Sequence, residues 1–301
     1  RVGMGFKPLE FSINDITSWN KSIIGHMAYD STSWRNAIRL LASGQIKVQP
    51  MITHRMGLSH WQEGFEAMAK KEAIKLLLAP SMGCCDLYDF EHQVRYIDEN
   101  ADFLHIDIKD GNYVKTFGVG PDFMTVLKKA VKTPMDAHLM VKHPQNFLEA
   151  CAEAGAAYIT PHTDCIESDA FVTINKIRSL GCKAGIALNP AAPLESIRYY
   201  LPLLSKVTIM IVDAGYAGQK VITQMYDKIQ TLVQWRNEMG LDFLIEADGS
   251  MNSGVYEPLY KSGADVVVLG PPALWNKDPD IEKAWGIMQK EIDEELQGIF
   301  R

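Results

Sequence analysis

The stretch FLHIDIKDGNYVKTFGVGPDFMTVLKKAVKTPMDAHL (103–139) contains the unit on which the fold prediction rests. It opens with a short apolar run (103–108), continues through a helical pattern that begins near Pro121, and closes with a second apolar run (135–139). A strand, a helix and a strand in that order predict two parallel strands joined by a right-handed crossover.

The same unit recurs along the chain from about residue 76 onward. We predict strands at 76–80, 103–108, 135–139, 157–161, 183–188, 206–213, 243–248 and 265–270. Helices are predicted between them, at about 88–99, 121–131, 144–154, 168–180, 193–203, 221–239, 253–262 and 280–297. Eight such units in about 220 residues are typical of an α/β protein with a closed (β/α)₈ barrel, the TIM barrel. The alternative is a doubly wound open sheet, but Pro80-Ser81-Met82-Gly83 is a poor match to the glycine-rich turn of that fold.

Composition and charge narrow the range of functions. The chain has 301 residues, of which 47% are hydrophobic and 22% charged, and a net charge of −7 with scattered basic residues. We therefore expect no nucleic-acid and no membrane partner, whereas phosphate stays open because backbone N–H groups can bind it. No apolar run has membrane-spanning length, and the N-terminus has no signal-peptide pattern. Five cysteines without a CxxC pair favour reduced thiols in a cytoplasmic protein.

Residues 1–75 do not repeat the barrel unit and are predicted to form a short α/β appendage, separate from a barrel domain at 76–301. The segment resembles the C-terminal tail of zinc-dependent medium-chain alcohol and polyol dehydrogenases. The stretches that carry this resemblance are SIIG (22–25), AIRLLASG (37–44), PMITHR (50–55) and EGFEAM (63–68). In those enzymes the zinc ligands and nucleotide-binding glycines lie upstream, so we expect the appendage to be non-catalytic. It is either a remnant of a gene fusion or gene-boundary error, or a packing and oligomerisation element.

Polar residues follow several predicted strands at the end where (β/α)₈ barrels place their chemistry. His105 and Asp107 are two residues apart on one strand, so both side chains point to the same face. His138 ends the next strand and Asp248 ends the seventh. Two imidazoles and two carboxylates form a mixed N/O set that suits Zn²⁺, Mn²⁺, Fe²⁺ or Co²⁺. The pattern therefore predicts a divalent metal site at the mouth of the barrel.

The order and spacing of four motifs resemble the ribulose-phosphate 3-epimerase family over residues 76–297. These motifs are HIDIKDG (105–111), HLM (138–140), VDAGYAGQ (212–219) and DGS (248–250). Within the family the chain is most similar to the D-allulose-6-phosphate 3-epimerases. The features that indicate this are Ser250, where pentose epimerases usually have a second glycine, together with Asn189-Pro190, Trp235-Arg236 and residues 273–276.

The resemblance implies a role for each matched residue. Asp107 and Asp248 would be the catalytic acid and base, on opposite faces of a ketose phosphate. His105, Asp107, His138 and Asp248 would bind a divalent metal, with Mg²⁺ added to the ions named above, and a metal-stabilised enediolate would form without an organic cofactor. Substrate contacts would come from Ser81, His138, Met140, Gly215, Tyr216, Ala217, Gly218, Gly249, Ser250 and Gly270. Like its relatives, the chain would form a homo-oligomer.

Three departures from the family pattern keep alternatives open. Lys109 stands where the family usually has Met, Lys115-Thr116 replaces Pro-Asn, and Pro271-Pro272 removes two N–H donors from a predicted phosphate loop. The function expected first is interconversion of D-allulose 6-phosphate and D-fructose 6-phosphate. Ribulose-5-phosphate 3-epimerase activity is the nearest alternative. A decarboxylase or aldolase of the same barrel superfamily and a non-catalytic sugar-phosphate-binding barrel follow.

Overall fold

The computed structural model describes residues 76–216 and 218–297, together with Arg39. The predicted appendage at 1–75 therefore lies outside the described residues apart from Arg39, and its strand, its helices and its boundary stay predictions. Ala217 also lies outside them. Among the helices so described, none combines the length and apolarity that crossing a lipid bilayer requires.

Eight parallel strands form a nearly closed (β/α)₈ barrel, which confirms the predicted fold class. They are β1 (Leu77–Pro80), β2 (Leu104–Lys109), β3 (Met135–Met140), β4 (Ala156–Pro161), β5 (Lys183–Leu188), β6 (Lys206–Met210), β7 (Leu244–Asp248) and β8 (Val266–Leu269). The strands from β2 to β8 pair in chain order, and β1 pairs with β8. A parallel bridge from Ser81 to His105 joins the end of β1 to β2 and brings the remaining edges together.

Seven α-helices among the described residues cover the barrel. They are α1 (Phe90–Asn100), α2 (Pro121–Leu127), α3 (Leu148–Glu153), α4 (Ala170–Ser179), α5 (Gln224–Glu238), α6 (Tyr256–Ser262) and α7 (Ile281–Gln297). The left-handed residue that ends α6 is Gly263, at φ 92°, whose N–H bonds back to the carbonyls of Leu259 and Tyr260. A side chain at that φ would be strained, which is why glycine ends the helix there.

Several predicted elements differ in the structure. The predicted helix at 144–154 begins as a 3₁₀ turn, Pro144–Asn146, before α3, and the predicted helix at 121–131 ends at Leu127. The connection at 193–203 is not an α-helix but two short 3₁₀ turns, Leu194–Ile197 and Leu201–Leu203, because Pro202 has no N–H with which to continue a helix. The sixth strand ends at Met210 rather than at Asp213. Ile211 still donates to the carbonyl of Asp248, but its own carbonyl accepts from Ile222 of the following loop, so the chain has left the sheet.

The main hydrophobic core lies between the outer face of the strands and the helices. Ile106 and Ile108 of β2 are both buried in it, as strand alternation requires when His105 and Asp107 point inward. The inward face therefore carries the polar side chains, and the fold concentrates these at the C-terminal ends of the strands.

Candidate active site

Four side chains meet at the mouth of the barrel: His105 and Asp107 of β2, His138 of β3 and Asp248 of β7. His105 Nε2 lies 3.1 Å from His138 Nδ1, 3.4 Å from Asp107 Oδ1 and 3.7 Å from Asp248 Oδ2. His138 Nδ1 lies 3.4 Å from each of the same two carboxylate oxygens. The two imidazoles are fully buried, while the two carboxylates keep 19% and 13% of their side-chain surface exposed. The carboxylates are therefore the members of the group that a substrate can reach.

The spacing of these four donors fits one divalent ion. Ligands bound about 2.1 Å from a metal lie about 3.0–3.4 Å apart across right or tetrahedral angles. The measured separations of 3.1–3.7 Å are close to that range, and all four donor atoms lie within 4.8 Å of one another. The set of two imidazole nitrogens and two carboxylate oxygens suits Zn²⁺, Mn²⁺, Fe²⁺ and Co²⁺. The residues present thus fit the group that the sequence predicted.

Without a metal, the two carboxylates differ in acidity. Burial acts to raise the pKa of Asp107, but the charge of His105 and hydrogen bonds from both histidines hold it well below its usual value. Burial raises the pKa of Asp248, and the attraction of His105 does not overcome that effect. Burial acts to lower the pKa of His105, yet the negative charge of Asp107 holds it well above 6.5. Two carboxyl groups whose pKa values are pushed apart are suited to opposite roles in proton transfer.

Other predicted substrate contacts surround this group. Ser81, which follows β1, donates a 2.7 Å hydrogen bond from Oγ to Asp107 Oδ2. Met140 and Met210 are buried in a small cluster with Val114 and Ala214, apart from the main core. Met210 is in register with Asp248, so this cluster lies beside the site.

The predicted phosphate-binding residues lie on three loops at the same end of the barrel. Gly215 and Gly218 follow β6 and have φ values of 90° and 78°. Gly249 and Ser250 follow β7 with φ values of 119° and 47°, and Ser250 is the sole non-glycine residue with positive φ among those described. Tyr216 is exposed. Successive backbone N–H groups in an αR–αL or turn conformation form a concavity that binds anions, and these positive φ values are compatible with such turns.

The β8 loop differs from the other two. After Gly270, residues Pro271–Trp275 form a short π-helical turn. The two prolines have no N–H, and the next two N–H groups, of Ala273 and Leu274, both donate to the carbonyl of Gly270. Those two N–H donors are therefore already used within the loop. A bound phosphate would have to receive more of its hydrogen bonds from the loops after β6 and β7.

The loop after β2 lies against both the site and the β6 loop. A Cβ on Gly118 would lie 2.3 Å from the carbonyl oxygen of Asp107, so only glycine permits this approach. Thr116 donates from Oγ1 to the carbonyl of Gly215, and a Cβ on Gly215 would lie 2.4 Å from Cβ of Val114. The substituted pair Lys115-Thr116 thus contributes a direct contact between the loop after β2 and the β6 loop.

Comparison with known proteins decides the family. The model of the ribulose-phosphate 3 epimerase family matches residues 77–273. The chain belongs to this family. The ribulose-phosphate 3-epimerase of Synechocystis is 34% identical over 214 residues, 70% of this chain and 93% of that enzyme. The Escherichia coli enzyme of the same name is 33% identical over 218 residues, 72% and 96% of the two chains. The family assignment confirms that the chain is an isomerase.

Two further likenesses concern the fold and another segment. A mutant tryptophan synthase α-subunit of Pyrococcus furiosus matches with a TM-score of 0.52 and 15% sequence identity. The match covers 73% of this chain and 98% of that chain, and it shows the shared barrel fold alone. An uncharacterized zinc-type alcohol dehydrogenase-like protein of Escherichia coli, YdjL, is 74% identical over 91 residues. That segment is 30% of this chain and 23% of YdjL, and it confirms the predicted dehydrogenase resemblance.

A buried polar layer lies directly beneath the candidate active site, and the sequence prediction missed it. Lys206 of β6 forms ion pairs with Asp136 Oδ2 of β3 and, at 2.7 Å, with Glu246 Oε1 of β7. Thr160 and Thr208 donate hydrogen bonds to the same two carboxylates. His105, Asp136 and Glu246 also meet the spacing of a cation site, but the ammonium of Lys206 supplies the positive charge there. Strand alternation was the available signal, since Asp136 and Glu246 each stand two residues before a predicted ligand.

A second missed group extends from the site toward the surface. His162 follows β4, is fully buried, and packs against Tyr113. The Tyr113 hydroxyl donates to Asp164 and accepts a 2.6 Å hydrogen bond from the Asn189 amide. Tyr113, Asp164 and Asn189 line a cavity of about 470 Å³ beside the mouth. Both His162 and Asn189 directly follow predicted strands, at 157–161 and 183–188, and that position was the signal that could have found them.

Proposed function

We propose that the chain is a metal-dependent ketohexose-6-phosphate 3-epimerase that interconverts D-allulose 6-phosphate and D-fructose 6-phosphate. The observation that carries the proposal is the convergence of Asp107 and Asp248, from β2 and β7, with His105 and His138 within 4.8 Å. Family membership supports a ketose-phosphate epimerase, and the exposed fractions of the two carboxylates let a small sugar phosphate contact both.

Proton transfer at C3 follows from the different environments of the two carboxylates. The hydrogen on C3 is weakly acidic because the carbon neighbours the ketone, so a positioned base is needed to remove it. Asp107, held ionised, accepts the proton from C3, and the electron pair moves into an enediolate. Asp248, which comes from β7 on the other side of the mouth, returns a proton to C3 from the opposite face. The two groups exchange roles in the reverse direction.

A divalent ion bound by the four side chains would supply Lewis-acid stabilisation to negative charge on the substrate oxygens. The remaining work belongs to the chain itself. Ser81 holds Asp107 in place by the 2.7 Å hydrogen bond to Oδ2. Met140 and Met210 present apolar surface beside the carboxylates, which limits access of water to the reacting carbon.

Ser250 supports a hexulose phosphate as substrate. Its φ of 47° is a conformation in which a serine is strained and a glycine is not. A serine at such a position is expected to use its hydroxyl, and Ser250 stands two residues after Asp248 in the loop that follows β7. The alternative, ribulose 5-phosphate, is favoured by the names of the relatives at 33% and 34% identity.

Coupled assays on both substrates test the proposal. Fructose 6-phosphate formed from allulose 6-phosphate is followed through glucose-6-phosphate isomerase and dehydrogenase, and xylulose 5-phosphate formed from ribulose 5-phosphate through transketolase. We expect a higher kcat/KM on the hexulose phosphate, loss of activity after chelation, and recovery on adding metal. Lack of metal-restorable activity on either substrate would remove the proposal, and a higher kcat/KM on ribulose 5-phosphate would replace the hexulose assignment.

Ser250→Gly tests the specificity argument separately. Glycine relieves the strain at φ 47°, so the variant is expected to be at least as stable as the parent protein. Its kcat/KM on allulose 6-phosphate is expected to fall more than its kcat/KM on ribulose 5-phosphate. An unchanged ratio of the two values would show that Ser250 does not select the hexulose.

A further inference from the structure

We propose that His162 is a positioning residue for the metal ligand His138, an inference that rests on the metal site of the proposed function. His162 is the first residue after β4, and its side chain is fully buried. Its Nε2 lies 2.9 Å from Nε2 of His138. The other nitrogen of His138, Nδ1, faces Asp107 and Asp248 at 3.4 Å. His138 is therefore held between the carboxylates on one side and His162 on the other.

Donor and acceptor roles in this pair follow from metal binding. An imidazole binds a metal through a lone pair, so His138 must leave Nδ1 bare and carry its proton on Nε2. That N–H then donates to His162, whose Nε2 must be the acceptor. His162 accordingly carries its own proton on Nδ1. The pair selects the one tautomer of His138 that can bind the metal through the nitrogen facing the site.

The surroundings of His162 fix its ring in this orientation. The ring planes of His162 and His138 differ by 18° and their centroids lie 5.0 Å apart, so the two rings meet nearly end to end through the 2.9 Å contact. Tyr113 packs against the ring of His162 at 4.9 Å, and Tyr113 is itself held by Asn189 and Asp164. Among the described residues Nδ1 of His162 has no hydrogen-bond partner although it is buried. The contact with His138 is therefore the hydrogen bond that the ring of His162 makes among those residues.

The two histidine ligands are thus supported by different groups. His105 Nδ1 lies 3.2 Å from the carboxylate of Asp136, the usual kind of partner for a metal-binding imidazole. His138 has a neutral imidazole in the corresponding place. A neutral acceptor fixes the tautomer of His138 without adding a further negative charge to a site that already contains Asp107 and Asp248.

Metal affinity separates positioning from packing. Co²⁺ is titrated into the chelator-stripped full chain, with visible absorbance reporting the geometry of the bound ion. His162→Phe keeps an aromatic ring at this position but removes Nε2, the acceptor of the hydrogen bond from His138. We expect this variant to weaken Co²⁺ binding about 10- to 100-fold. His162→Gln places an amide oxygen near the Nε2 position and is expected to retain most of the affinity. His143→Phe, at an exposed histidine, is the matched control and should match the parent protein.

A second comparison serves if the phenylalanine variant does not fold. The side-chain oxygen of His162→Asn lies near the Nδ1 position and does not reach His138, so its affinity should be well below that of His162→Gln. In the Zn²⁺-loaded parent protein, nitrogen NMR should find the proton of His162 on Nδ1 and none on Nε2.

The positioning role would be overturned if His162→Phe bound Co²⁺ as tightly as the parent protein. It would also be overturned if His162→Asn and His162→Gln both bound Co²⁺ as tightly as the parent protein. Either result would leave the proposed function in place. A proton on Nε2 of His162 would likewise overturn the positioning role alone. Absence of saturable Co²⁺ binding to the parent protein would overturn both.

Discussion

Replacing Lys206 with methionine should destabilise the barrel strongly, because it leaves two buried carboxylates without their counter-charge. The side chains of Lys206, Asp136 and Glu246 are 2%, 2% and 1% exposed, so water cannot replace the lost ammonium. Each carboxylate keeps one threonine hydroxyl, from Thr160 at 2.7 Å and Thr208 at 2.8 Å. Removing one partner of a buried pair typically lowers the free energy of unfolding by about 3–5 kcal/mol. For a domain of this size that corresponds to a fall of roughly 6–20 °C in the melting temperature.

The pH dependence of this loss has a definite sign. In the parent protein burial acts to raise the pKa of Asp136, but the charge of Lys206 holds it below 3.8, so its contribution to stability is present above pH 3.8 and lost below it. In the variant burial acts on Asp136 without the opposing charge of Lys206, so its pKa rises instead and its ionised form destabilises the protein as pH increases. The stability difference between the two proteins should therefore be larger at pH 8 than at pH 5.

Urea unfolding at both pH values, with a chelator present throughout, measures the effect without a contribution from bound metal. Lys277→Met is the matched control, since its pair with Glu291 is partly exposed, at 17% and 24%, and is expected to contribute about 1 kcal/mol or less. A triple variant should recover most of the stability, because it has no buried charge left without a partner. It combines Lys206→Met with Asp136→Asn and Glu246→Gln. A loss below about 1 kcal/mol for Lys206→Met at pH 8 would refute the charge-compensation reasoning.

Three other outcomes are expected. Asp107→Asn and Asp248→Asn should each lower kcat at least about 100-fold while the circular dichroism spectrum stays that of a folded barrel, and near-normal turnover in either would contradict the two-carboxylate scheme. Gly118→Ala should lower both stability and kcat/KM, because its Cβ would lie 2.3 Å from the carbonyl oxygen of Asp107. A Cβ at Gly120 would have no atom within 4 Å, so Gly120→Ala should match the parent protein in both assays. In the chelated protein the raised pKa of His105 stabilises the folded state fully below pH 6.5, and the lowered pKa of Asp107 stabilises it fully above pH 3.8. The melting temperature should therefore be highest between these two pH values. A melting temperature that rises from pH 6 to pH 9 would contradict that pairing.

The three departures from the family pattern have different structural consequences. Thr116 makes a new contact with the β6 loop, so its substitution is accommodated within the loop after β2. Pro271 and Pro272 leave the β8 loop with few free N–H donors, which moves the expected phosphate contacts toward Gly215 and Gly249. Lys109 follows His105 and Asp107 on the same face of β2. Burial acts to raise the pKa of Asp107, and the charge of Lys109 helps the two histidines, whose effects are larger, to lower it.

The sequence alone determined the barrel and the composition of the site. Alternating strand and helix patterns give a parallel sheet because each crossover has one hand and a fixed minimum length. The period of two along β2 placed His105 and Asp107 on the inward face, while Ile106 and Ile108 joined the core. These features are local in the chain, so residue order is sufficient to predict them.

Only the tertiary structure decided which inward side chains meet across the barrel. Lys206 pairs with carboxylates on β3 and β7, neither of which is adjacent to Lys206 along the chain, and a lysine within an apolar run gives no sign of its partners. His162 likewise gains its contact with His138 from the pairing of β3 with β4. Contacts across the barrel depend on the register and curvature of the closed sheet. The packing of all eight strands together sets this register and curvature, and residue order alone does not predict them.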